Sequence, residues 1–146
     1  MSQHKHHSHE ERQRIRVRAK DTPGVICIER SIHDEAVVIS GSLTLEYGAE
    51  DINAWIVEEL EKAAQAIKDT DGIIGHIKAS VSTASTEIIS VTDEKAMVTH
   101  SPGNRARIAL AAIMFTIEPP EAEGIIRKAL AGVRSRLRDE KVRNTK

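Results

Sequence analysis

The sequence predicts an α+β domain: an antiparallel-rich β-sheet carrying two amphipathic helices on one face. Three observations lead there. Short runs alternate apolar with polar residues, the period of a half-buried strand. Residues 51–69, and the stretch that opens at Pro119 and Pro120, instead repeat their apolar residues every three to four positions, as helices do. Finally, a shift of seventy residues lays AVVISGSLTLEYGAEDINAWIVEELEKA over ARIALAAIMFTIEPPEAEGIIRKALAGV without a gap. Trp55 then meets Ile125, Ile56 meets Ile126, Leu60 meets Leu130, Ala63 meets Val133 and Ile67 meets Leu137. That coincidence points to an internal ββα duplication.

The elements follow in order. MSQHKHHSHEE is a polar, His-rich arm with no apolar residue after Met1, and RQRIRVRAK then sets Arg14, Arg16 and Arg18 against Ile15, Val17 and Ala19. Strict alternation of that kind suits a basic edge strand. Residues 1–20 are therefore expected to be a His-rich and basic arm, 21–138 the single domain, and 139–146 a polar C-terminal tail. VICIERSI reads as a strand, HDE as a turn and AVVISGSLTLE as the returning strand of a hairpin. Val37, Ile39, Leu43 and Leu45 share one of its faces; Val38, Ser40, Ser42 and Thr44 share the other.

In the first helix, Ile52, Trp55, Ile56, Leu60, Ala63 and Ile67 make one stripe, with Glu58, Glu59, Glu61 and Lys62 largely outside it. The glycine of DTDGI stops it. GIIGHIKASV, TEIISV and AMVTH then read as strands. RARIALAAIMFTI is ambiguous by period, since Ala favours helix and its Ile/Phe/Thr end favours strand. The seventy-residue match decides for a strand over 105–117. Pro119 and Pro120 open the last helix, where proline suits the first turn. Its stripe is Ile125, Ile126, Ala129, Leu130, Val133 and Leu137.

Composition excludes several classes. Trp55, Tyr47 and Phe115 are the sole aromatics, so the core is aliphatic and a base-stacking surface is not expected. The single Cys27 rules out an intrachain disulfide or a Cys-rich metal site, and its apolar neighbours make it read as a core residue. No apolar run approaches the ~18 residues of a span, which with the polar start implies a cytoplasmic protein away from membranes. Net charge is −1, distributed as +4 over residues 1–20, −10 over 21–104 and +5 over 105–146. Basic ends on an acidic middle suit self-association or anion binding.

Two candidate sites emerge. Four imidazoles, His4, His6, His7 and His9, precede Glu10 and Glu11 and offer flexible ligands for Ni or Zn. A tag remnant would present the same residues at the same terminus. On the third strand, Ile73, Gly75, Ile77, Ala79 and Val81 share an apolar face. His76 and Lys78 point the other way with Ile74 and Ser80, the His and Lys about 6–7 Å apart. Ser40 and Thr44 collect on that face, and Glu29 is a carboxylate that would orient the imidazole. His33, His76 and His100 lack the spacing that makes a three-His zinc site.

The reading that results is a non-enzymatic, self-associating binding or accessory protein, a homodimer or higher oligomer, with the arm as a metal contact. One alternative is a nucleic-acid or phosphate binder using Arg12, Arg14, Arg16, Arg18 and the basic C-terminus, which the acidic middle disfavours. The other is a small enzyme with His76 as base and Lys78 as anion clamp on the open sheet face.

Overall fold

The computed structural model describes residues 22–46, 51–83, 86–92, 95–101 and 105–144. The His-rich arm and the alternating basic stretch lie outside them. Strand β1 (Ile26–His33) turns through Asp34 into β2 (Ala36–Leu45), and helix α1 (Ile52–Asp69) follows. Next come β3 (Ile73–Thr83), the hairpin β4 (Thr86–Thr92) and β5 (Lys95–Ser101), β6 (Ala106–Phe115), and α2 (Pro119–Asn144). The ambiguous run is thus a strand. An antiparallel four-stranded sheet has the order β1-β2-β6-β3, and β4 with β5 forms a separate two-stranded sheet.

Alternation decides which residues face the helices. Val37, Ile39, Leu43 and Leu45 of β2 are buried with Ile108, Leu110 and Met114 of β6, against Ile52, Ile56 and Ile67 of α1 and Ile126, Leu130 and Val133 of α2. Both described helices cover one face of the sheet, and among the described residues no helix lies on its other face. Gly41 lies at the centre of the covered face. A Cβ there would stand 2.7 Å from Leu130 Cδ1 and 3.2 Å from Ile28 Cδ1, so the missing side chain lets α2 settle close to the strand.

α1 ends on two bonds that satisfy its last carbonyls: Gly72 N–H donates to Ile67 O at 2.9 Å and Asp71 N–H to Lys68 O at 3.0 Å. The residue that bends left-handed is Asp71, with φ 61, rather than the glycine after it. Asp71→Gly is therefore expected to raise stability by roughly 0.5–1 kcal/mol, because glycine adopts that conformation without the Cβ clash. A lower urea midpoint for the variant would contradict this.

Four departures from the sequence reading have identifiable causes. The first is a β-bulge between Ile74 and His76 that inserts one residue opposite β6. It reverses the parity of the strand's start, so Ile74 packs against the core while Ile73 is 57% exposed. A Cβ on Gly75 would lie 2.9 Å from the Phe115 ring, which leaves glycine as the residue that fits.

The second is Glu59, which is buried rather than outside the stripe. Its carboxylate lies on Gly132 of α2, where a Cβ would come 2.7 Å from Oε1. Arg136 Nη2 and Lys62 Nζ each approach that carboxylate at 3.4 Å, and Arg136 also pairs with Glu58. The third is the C-terminal stretch read as a tail, which continues α2 as far as Asn144. It holds no Gly or Pro, and Lys141 and Arg143 in the last turn complement the helix dipole.

The fourth concerns the seventy-residue match, which holds for helix stripes but not for strand faces. Val37 and Ile39 are buried under the helices, while Arg107 and Ala109, seventy residues on, face the open side. A duplicated ββα unit would need a one-residue gap between strand and helix.

Candidate functional site on the helix-free sheet face

Direct antiparallel pairing puts opposite residues on the same side of a sheet, so the register lays out the open face in rows. One row runs Glu29, Ser40, Ala111, Lys78 from β1 to β3. The next runs Cys27, Ser42, Ala109, Ser80, and on the other side lies Ser31, Val38, Ile113, His76. The two inner strands thus carry only hydroxyls and methyls in the first two rows. In the first row the taller Glu29 and Lys78 stand on the outer strands, which leaves a hollow between them.

That concavity has a volume of about 400 Å³ and is lined by Cys27, Glu29, Ser40, Ser42, Lys78 and Arg107 among others. Of the residues expected there, Ser40, Lys78 and Glu29 line it. His76 and Thr44 each stand one row outside. His76 is exposed and pairs with Ile113; Thr44, beside Arg107, is buried, and its carbonyl accepts the Gly24 N–H at 2.8 Å. Lys78 does neighbour His76 on the same face, as expected. Glu29 does not orient the imidazole: β1 and β3 are opposite edges, roughly 14 Å apart at the usual strand spacing. Among the described residues, no ion pair or hydrogen bond engages Lys78.

The histidines of the described fold are spread out, as their spacing in the sequence suggests. His33 ends β1, His76 lies on β3 and His100 on β5, outside the four-stranded sheet. No group of three metal-ligating side chains occurs among the described residues. His4, His6, His7 and His9 lie outside those residues, as do Arg12, Arg14, Arg16 and Arg18.

Ser42 and Ser80 stand on the face that alternation gives them, whereas sequence reasoning missed Cys27 and Arg107. Cys27 pairs with Ser42 on the open face and is partly exposed, not a core residue. The odd–even position of Cys27 relative to Ile26 and Ile28 carried that signal. For Arg107, membership follows from pairing with distant strands, which no local pattern reports. Several basic residues of α2 are also engaged within the chain. Arg127 pairs with Glu123, Arg134 donates to Gly24 O at 2.9 Å, and Arg136 holds Glu58 and Glu59.

Comparison with protein-family models, with curated proteins and with solved structures gave no match. The fold and the face define an α+β protein in which, among the described residues, one sheet surface is left clear of helices. No helix among the described residues is long and apolar enough to cross a membrane.

Proposed function

We propose that this chain is a self-associating binding or accessory protein without a catalytic centre, whose copies meet through the helix-free sheet face. One observation carries the reading. The face combines a small-residue centre with the half-buried Val38 and Ile113 side by side on the inner strands, and Ile73 is 57% exposed at its rim. Apolar groups on a face that no described helix covers gain from burial against another surface. The dispersal of His76, Glu29, His33 and His100 supports a role that needs no reacting cluster. Contact with Ni or Zn through His4, His6, His7 and His9, and a cytoplasmic setting, belong to the same proposal and rest on composition.

A second reading has one observation in its favour. Lys78 and Arg107 bring two cations, against the one carboxylate of Glu29, to a concavity floored by serines, which suits a small anion such as a phosphate or carboxylate. Nucleic-acid binding through the basic ends has less support, because Arg127, Arg134 and Arg136 are committed within the fold.

Sedimentation equilibrium across the micromolar range tests the main reading. A dimer or higher oligomer is the expected result. A monomer persisting at high micromolar concentration would overturn it, and phosphate binding by that monomer would favour the second.

A further inference from the structure

We infer that the partner on this face is a second copy of the chain, docked sheet to sheet about a two-fold axis parallel to the strands and running under the β2–β6 boundary. This rests on the self-association reading above and adds its geometry. The argument starts from the row Glu29, Ser40, Ala111, Lys78, which spans the whole sheet with a carboxylate at one edge and an ammonium at the other. Rotation about that axis exchanges the two edges and keeps the rows level. β1 of one copy then lies over β3 of the next. Glu29 faces the partner's Lys78, and Lys78 faces the partner's Glu29. One surface supplies both halves of the contact, as an isologous dimer requires.

The same operation matches the other rows by size. Val38 falls opposite the partner's Ile113, apolar on apolar, and Phe115 falls opposite the partner's Ala36, large on small. Ser40, Ser42, Ala109 and Ala111 are short enough for two sheets to approach to roughly 10 Å. At that separation a Glu and a Lys reach one another from facing edges. Packed sheets cross at about −30°, which moves an edge residue by only about 4 Å because the row is centred on the axis. The area also suffices. Four strands of this length present roughly 600 Å² per copy, near the lower end for a specific dimer.

A two-fold axis perpendicular to the strands lacks this matching. Centred on the same row it sets Glu29 against the partner's Glu29 and Lys78 against the partner's Lys78. Like charges brought face to face disfavour that arrangement.

Charge reversal reads the geometry directly. Glu29→Lys and Lys78→Glu are each expected to raise the dimer dissociation constant about tenfold or more, since each turns two attractions into two repulsions. An equimolar mixture of the two single variants should assemble into heterodimers near wild-type affinity, because every facing pair is again opposite in sign. The double variant should self-associate like the wild type. Circular dichroism on each chain confirms that the exposed substitutions leave the fold intact. A wild-type oligomer that ignores both reversals, or a mixture that fails to recover, overturns this docking geometry while leaving self-association standing. A monomeric wild type overturns both readings. If that monomer dimerises once residues 1–21 are deleted, the chain's own N-terminal segment is the occupant of the face, and the inference falls.

Discussion

Leu130→Ala is expected to lower the unfolding free energy by about 3 kcal/mol, a large part of the roughly 5–15 kcal/mol that holds a domain of this size together. Leu130 is 1% exposed and belongs to the cluster that fills the space between sheet and helices. Truncating it removes buried methyl groups and leaves a cavity above the sheet, because the surrounding side chains relax only in part. The geometry at Gly41 makes the prediction sharper. A methyl at that position collides with Leu130 Cδ1 in the wild type and enters vacated space once Leu130 is truncated. Gly41→Ala with Leu130→Ala should therefore cost less than the two single costs added, by about 1 kcal/mol. Strict additivity in chemical denaturation would show that the strand and α2 do not approach as closely as described.

Arg136→Ala is the second large effect, about 2 kcal/mol of destabilisation, and it comes from what is left behind. Glu59 has a side chain only 10% exposed, and among the described residues Arg136 and Lys62 are the cations that approach its carboxylate. Lys62 is 67% exposed, so water screens its attraction to the carboxylate. Removing Arg136 strands a carboxylate between two helices, and an uncompensated buried charge costs more than the pair contributes. Glu59→Ala with Arg136→Ala should accordingly be more stable than Arg136→Ala alone. In the Glu59→Ala background, Gly132→Ala should turn stabilising, since the space over the helix is then open and alanine is the better helix former. If Arg136→Ala matches a plain surface substitution in thermal denaturation, the Glu59 carboxylate reaches water by another route.

Most of the fold was legible in the sequence because its elements obey one period each. Val37, Ile39, Leu43 and Leu45 could be assigned to the core from alternation alone, and Ile56, Leu130 and Val133 from helical spacing. What escaped was set by contacts between distant segments or by a single inserted residue. Glu59 looks like a solvent-facing helix residue until Gly132 is placed beneath it. The bulge at Gly75 had a local sign, a glycine inside a strand, yet its effect on parity appears only once β6 sits alongside. The candidate site divides the same way. Ser40 and Lys78 could be put on the open face from their own strands, whereas the row that joins Glu29 to Lys78 depends on a strand order that crosses between halves of the chain.

That strand order also has a temporal side. β2 and β6 lie next to each other at the centre of the sheet, although α1, β3 and the β4–β5 hairpin all come between them in the chain. During synthesis the β1–β2–α1 segment leaves the ribosome with the inner edge of β2 bare and its apolar side short of α2, the helix that covers Gly41. Neither gap closes until the last strand and the last helix have emerged. A bare strand edge invites pairing with other chains, and loop closure over so many residues slows the correct pairing. The nascent polypeptide is therefore most exposed to misassembly in the interval before β6 and α2 have emerged.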